Sequence, residues 1–299
     1  MKFAFEKWHG CANDFIIFWV SRNDGDMILD VIRRKTSELC ARGGGGVAAD
    51  GVLVLHTESR DDVMPHRLTI FNADGSEAAA CGNGTRCAAA SILKRHQDRG
   101  VDLEHGFIQL LVKNRQLSCQ LLPVKHSGGW PYVMVDMGSC IVETVETELS
   151  QRLKSSLSAT SSCTVTVGNV HLVVFQDDEP SIQKLARANL QKVYQDTNVH
   201  LAQECEISDA DNNQAHHILQ ACIKQKVKIQ SWERGVGPTQ ACASGASAVC
   251  AAVMAEGFVP QGSWILIENP GGLLYCKQEE QNLIQVGPAV LSFEGVVSL

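Results

Sequence analysis

The sequence predicts a mixed α/β protein made of two pseudo-equivalent halves, and three observations lead there. The chain is 299 residues long with 44% hydrophobic residues, enough to bury two ordinary cores. Short alternating or apolar runs recur as strand candidates, while helix candidates are few. Two segments also resemble each other. AACGNGTRCAAASIL from Ala79 and QACASGASAVCAAVM from Gln240 share Ala-Cys, a glycine three residues after the cysteine, and a small-apolar helix behind it.

In chain order, strands are expected over Phe15–Val20, Val52–His56, Arg67–Phe71, Phe107–Val112 and Tyr132–Asp136. A second series follows over Thr164–Val167, Val170–Phe175, Val227–Trp232, Trp264–Ile267 and Leu283–Val286. Met27–Ala41 predicts a helix, with apolar residues at 28, 31, 32 and 39 and a stop at the Gly43–Gly46 run. Pro180–Val193 predicts another, opening on a proline that an early helical turn tolerates. The last two helices, Cys81–His96 and Cys242–Glu256, are rich in small residues all round. Such helices suit the centre of a domain, enclosed on all sides, better than an amphipathic surface position. The break at Ser127, Gly128 and Gly129, within Pro123–Pro131, places the boundary between the halves near 124/125.

Charge and composition exclude several classes of function. The net charge is −7 and no basic run carries interleaved aromatics, which argues against nucleic-acid binding and for small-molecule or protein partners. Phe15–Val20, the longest early apolar run, is too short to span a membrane and lacks a signal-peptide pattern, so a soluble, cytoplasmic protein is expected. The twelve cysteines are dispersed without any CxxC pair, so neither a zinc knuckle nor a disulfide framework is expected. No Gly-Lys-Ser/Thr follows Gly43–Gly46, and that run is read as a loop.

Cys81 and Cys242 carry the chemistry. A cysteine at the start of a helix sits among backbone N–H groups without intrahelical acceptors, near the positive end of the macrodipole, and its thiolate is favoured there. The same N–H groups can hold a carboxylate, and Gly82-Asn83-Gly84 and Ala243-Ser244-Gly245 let a ligand come close. Two such helix starts facing one cleft would place a carboxylate between two thiols. One could remove the proton from the adjacent carbon while the other delivers a proton to the opposite face. Each helix end supplies only about 0.3–2 kcal/mol, against the roughly 8–23 kcal/mol by which enzymes lower barriers, so closure and exclusion of water belong to the same expectation. Alone, each cysteine is read equally well as a small residue at a crowded helix start. The repeat favours the chemical reading.

The sequence resembles the diaminopimelate epimerases, cofactor-independent enzymes of lysine and peptidoglycan precursor biosynthesis that interconvert LL- and meso-2,6-diaminopimelate. Lys7 to Phe15 resembles the opening K-x-H-G-x-x-N-D-F, and Phe71 to Arg86 closely follows F-N-A-D-G-S-E-A-x-x-C-G-N-G-x-R. Val167 to His171 resembles G-N-P-H, Thr197-Asn198-Val199 resembles T-N-V, and Trp232 to Gly237 with Ala241 to Gly245 resembles Y-E-R-G-x-G followed by A-C-G-[ST]-G. The resemblance implies that Cys81 and Cys242 are the two acid/base thiols, and that the N–H groups of Gly82, Asn83, Ala243 and Ser244 hold the reacting carboxylate. It implies that Asn72, Asn169, Asn198 and Arg234 read the distant carboxylate, and that Glu233 helps bind the distal ammonium. His171 and Glu233 match positions that tune the thiols, and Asn13 belongs to the binding set.

The implied fold is diaminopimelate epimerase-like, α/β (α+β): two pseudo-symmetric domains, each a curved, mostly antiparallel sheet around a central helix. The first half would comprise 1–124 with 287–299 and the second 125–286, with Phe293 near a homodimer contact and no metal or organic cofactor. Four residues depart from the family pattern. They are Gly51 after Asp50, Ala243 where glycine is usual, Val170 in place of proline, and Pro238 after Gly237. They leave open a two-thiol racemase of histidine, glutamate or proline, or a non-catalytic amino-acid-binding relative. The retained Asn72, Asn169, Asn198 and Arg234 argue against the first, and the paired cysteines against the second.

Overall fold

A computed structural model describes residues 2–22, 26–65, 67–103, 106–127, 129–143, 151, 157, 159–187 and 197–299. The chain divides into two compact units, Met1–Val135 with Pro288–Leu299, and Asp136–Gly287.

In the first unit, β1 (Lys2–Gly10) and β2 (Asn13–Ser21) form an antiparallel hairpin that closes at Gly10↔Asn13. Cys11 and Ala12 make the turn with φ of 53° and 61°. Positive φ at both central positions gives a hairpin turn whose twist matches that of the flanking strands, and here it sets Asn13 at the head of β2. Helix α1 (Asp26–Cys40) crosses to β3 (Gly51–Thr57), parallel to β2, and β4 (Arg67–Asn72) returns antiparallel to β3. Then come α2 (Gly82–Asp98), β5 (Phe107–Val112), β6 (Arg115–Lys125) and β7 (Pro131–Ser139), the last three joined antiparallel in sequence, and the boundary of the unit falls within β7, after Val135.

The second unit repeats this order. A short β8 (Ile141–Glu143) precedes β9 (Ala159–Val167), which pairs antiparallel with β10 (Asn169–Gln176). After α3 (Ile182–Arg187), β11 (Asn198–Cys205) runs parallel to β10. Following α4 (Asp209–Leu219), β12 (Ile223–Glu233) is antiparallel to β11 and carries the small β13 (Gly237–Thr239). Helix α5 (Ala243–Ala255) leads to β14 (Trp264–Asn269), parallel to β12, and on through β15 (Gly272–Glu279) to β16 (Asn282–Gly287). The chain then re-enters the first unit as β17 (Val290–Ser298), antiparallel to β1.

The two alanine-rich helices lie where their composition places them. Helix α2 packs against β1, β2, β3 and β6, and α5 against β8, β9, β10, β11, β14, β15 and β16. Cys87, Ala88, Ala89 and Ala90 in one, and Ala246, Ala248, Val249, Cys250 and Ala251 in the other, are at most 1% exposed. Small side chains let strands approach from several directions, and the sheet must curl round the helix to do so.

The expected strands and helices are present, with three differences. The helix predicted over Pro180–Val193 is seen as Ile182–Arg187, and 188–193 lies outside the described residues. The first unit runs past 124 to Val135, because β6 and β7 pair antiparallel on either side of the predicted boundary: His126 N–H donates to the Trp130 carbonyl at 3.0 Å and Gly129 N–H to the His126 carbonyl at 2.9 Å. Five long strands (β1, β6, β11, β15 and β17) and α4 were not foreseen. Helix α4 (DADNNQAHHIL) has few strong helix formers and is held by a capping box between Ser208 and Asp211. Among the described residues, no helix is long and apolar enough to cross a membrane.

Candidate active site

Both cysteines singled out by the sequence are N-caps. Cys81 has extended backbone (φ −153°, ψ 106°) and its Sγ accepts from Gly84 N–H at 3.3 Å, while Thr85 N–H donates to the Cys81 carbonyl at 2.8 Å. Cys242 repeats this geometry (φ −115°, ψ 108°), with Sγ 3.3 Å from Gly245 N and its carbonyl 2.8 Å from Ala246 N. In both caps the sulfur takes the third amide of the helix. Gly82 and Asn83, and Ala243 and Ser244, therefore occupy the first two helical positions, where the helix offers no carbonyl partner.

In the first unit the motif residues gather at one end of β2, β3 and β4. Asn83 Nδ2 donates to Asn13 Oδ1 at 3.1 Å, and Asn13 Nδ2 donates to Asp50 Oδ2 at 2.8 Å. Arg42 bridges Asp14 and Asp50 at 2.6 and 2.7 Å, and Lys7 pairs with Asp14 at 2.8 Å. Burial opposes the charge on Asp14, but Lys7 and Arg42 outweigh it and hold the carboxyl below its usual range. Arg86, fully buried, donates to Asn83 Oδ1 and to the Pro288 carbonyl. Asn72, at the exposed end of β4, donates to Ser76 Oγ at 2.9 Å.

In the second unit, Asn169 stands exposed at the head of β10, and His171 is opposite Asn198 in the parallel β10–β11 pair. Asn198 is 7% exposed, and it accepts from Arg234 N–H at 3.0 Å and donates to the Val170 carbonyl at 3.2 Å. It thereby anchors the exposed turn that carries Arg234. Glu233, at the end of β12, accepts from Thr239 Oγ1 at 2.6 Å.

The expectation that a helix start favours the thiolate is corrected at Cys242. Burial first, and then the Glu233 carboxylate, push its pKa well above the ordinary thiol value, against the Ser244 hydroxyl and the Gly245 amide. Desolvation outweighs the helix end because the residue is only 4% exposed.

His200 and Ser231 were missed. His171 Nδ1 lies 2.9 Å from His200 Nε2, and His200 Nδ1 lies 2.8 Å from Ser231 Oγ. Burial pushes His171 down to about 4 and His200 well below the usual imidazole value, so both rings are neutral. Among the described residues, His171, His200 and Cys242 are the trio with donor atoms close enough to suggest a metal, all within 4.8 Å. Their facing imidazole nitrogens are bonded to each other, however, and the arrangement is a hydrogen-bonded chain. Aligning the two units would have revealed His200, since it occupies the place of Leu53: Gly84 packs on Leu53 as Gly245 packs on His200.

Two α/β units of one topology, each with a cysteine capping an enclosed helix, define a duplicated fold found among epimerases. The structure of a predicted epimerase from Pseudomonas aeruginosa matches with a TM-score of 0.69 at 17% identity, covering 99% of each chain. A hydroxyproline epimerase from Agrobacterium vitis, bound to trans-4-hydroxy-L-proline, matches with a TM-score of 0.63 at 13% identity, covering 100% of this chain and 93% of that one. Residues 5–139 match the family model for diaminopimelate epimerase. The diaminopimelate epimerase of Rickettsia akari is 30% identical over 98% of this chain and 97% of its own, and that of a Synechococcus strain is 31% identical over 99% of both. The chain belongs to the diaminopimelate epimerase family.

Proposed function

We propose that this protein interconverts LL- and meso-2,6-diaminopimelate without a cofactor, as a cytoplasmic homodimer serving lysine and peptidoglycan precursor synthesis. Cys81 and Cys242 act on opposite faces of one α-carbon, one taking the proton and the other returning one. The observation that carries this reading is the duplicated cap: two cysteines at one helical position, each with Sγ 3.3 Å from the amide three residues on. Gly82, Asn83, Ala243 and Ser244 present amide donors to the reacting carboxylate, in the manner of an anion at a helix start. Asn13, Asn72, Asn169, Asn198 and Arg234 serve the distant carboxylate and its surroundings. Glu233 serves the distal ammonium, and with His171 tunes the thiols.

The protonated resting state of Cys242 fits an acid poised to deliver a proton, and the reverse reaction uses it as base. The test is turnover of LL-diaminopimelate followed by chiral chromatography, beside histidine, glutamate and proline as competing substrates. Cys81→Ala and Cys242→Ala should each lower kcat by about 10²–10⁴. Racemisation of one of the other amino acids, with diaminopimelate untouched, would assign the pocket elsewhere.

A further inference from the structure

Beneath the first turn of α5 runs a buried polar row that two-thiol chemistry does not itself require. His171, His200 and Ser231, on three adjacent strands, are 0%, 0% and 2% exposed. The matched places in the first unit hold Phe15, Leu53 and Ile70, so packing alone does not call for imidazoles there. A buried polar group without a partner costs about 1–3 kcal/mol, and every polar atom of this row is paired except one. That atom is His171 Nε2, which is buried and has no hydrogen-bond partner. Either proton order leaves one donor of the row unpaired, a His171 Nε2–H or the Ser231 O–H; the hydroxyl is the one that can rotate to suit its surroundings, and in that order Nε2 carries the lone pair and Nδ1 the proton. The chain then runs one way: His171 Nδ1–H donates to His200 Nε2, and His200 Nδ1–H donates to Ser231 Oγ. In a histidine, the bond made by one nitrogen sets the state of the other.

We propose that His200, clamped by Ser231, is a positioning residue that fixes the orientation and tautomer of His171 and so presents the His171 Nε2 lone pair as an acceptor beside Cys242. Two further contacts tie His200 to the thiol. Its ring lies against Gly245, where an added Cβ would sit 2.2 Å from His200 Cε1, and Gly245 donates the amide that caps Cys242 Sγ. The proposal rests on the two-thiol reading for its kinetic consequence and on geometry alone for its tautomer.

The experiment is ¹⁵N NMR of histidine-labelled protein, together with steady-state kinetics on LL-diaminopimelate, for the native chain, His200→Leu and Ser231→Ala. The native spectrum should show His171 as the Nδ1–H tautomer. In Ser231→Ala the His200 Nδ1–H loses its acceptor, so His200 moves its proton to Nε2, donates to His171 Nδ1 and drives His171 to Nε2–H. Both variants should keep a native circular dichroism spectrum and KM while kcat falls about tenfold, part of what general acid–base groups contribute. His171 found as Nε2–H in the native protein, or a folded variant with both native tautomer and native kcat, overturns the proposal. If His200→Leu does not fold, Ser231→Ala decides. Should no diaminopimelate turnover occur in any form, the two-thiol reading fails, and the His171 tautomer still decides the role of His200.

Discussion

At the scale of residues, the surroundings of Cys242 are governed by desolvation. Cys242, His171 and His200 are all buried and all held in their neutral forms. Stability should therefore depend on pH in a definite sense. The His171 pKa is about 4 in the folded protein, against about 6.5 in an unfolded chain. Between these values the unfolded state binds the extra proton, so stability is intact above about pH 6.5 and is lost as pH falls towards 4. From pH 7 to 5 the loss for this group alone is about 2 kcal/mol, and His200 adds to it in the same direction. Thermal melts should show Tm falling over that range, and His171→Leu should flatten the dependence. A second prediction concerns Gly245. A methyl group there would meet the His200 ring at 2.2 Å, whereas at Gly84 it would meet Leu53 Cδ2 at 3.2 Å. Gly245→Ala should cost about 1–3 kcal/mol, as overpacking does, and Gly84→Ala less, measured by urea denaturation.

At the scale of elements, legibility tracked how local the determining physics is. The cysteine helices were readable because their caps, glycines and small residues lie consecutively in the chain. Strands such as Phe107–Val112, with alternating burial, were readable from period two. By contrast, β11 carries His200 between Val199 and Leu201, a buried polar residue that breaks the apolar signal and is satisfied only by His171 and Ser231 on other strands. Strand β1 was lost for the same reason: Lys7 is 4% exposed through its pairing with Asp14, a partner that hydrophobicity cannot reveal. Helix α4 depends on its cap, where Ser208 Oγ accepts from Asp211 N–H at 3.2 Å and Asp211 Oδ2 accepts from Ser208 N–H at 3.0 Å. Ser208→Ala should destabilise the protein by about 1 kcal/mol, read as a lowered urea midpoint.

At the scale of the whole molecule, duplication is the organising fact. Each unit runs antiparallel hairpin, crossover helix, parallel strand, antiparallel return and enclosed helix, and the matched registers carry the motif residues. Asn13 heads β2 as Asn169 heads β10, and Cys81 caps α2 as Cys242 caps α5. The halves have since diverged in kind. The first braces Asn13 with an ionic frame of Lys7, Asp14, Arg42 and Asp50, and the second underlies its cysteine with a neutral imidazole chain. The repeat was visible in the sequence through Ala-Cys and the glycine three residues on, but this divergence was not, because it is written in residues that meet only across strands.

The account turns on two different thiols serving one carbon, and the most direct measurement is proton NMR of LL-diaminopimelate turning over in D2O at early times. Two-thiol chemistry predicts that the meso product carries solvent deuterium at the inverted carbon from its first appearance, while the remaining LL substrate keeps its proton. Cys81→Ala and Cys242→Ala should each slow inversion by about 10²–10⁴. Meso product that retains the original proton, or inversion that keeps its native rate after the loss of either cysteine, would contradict it.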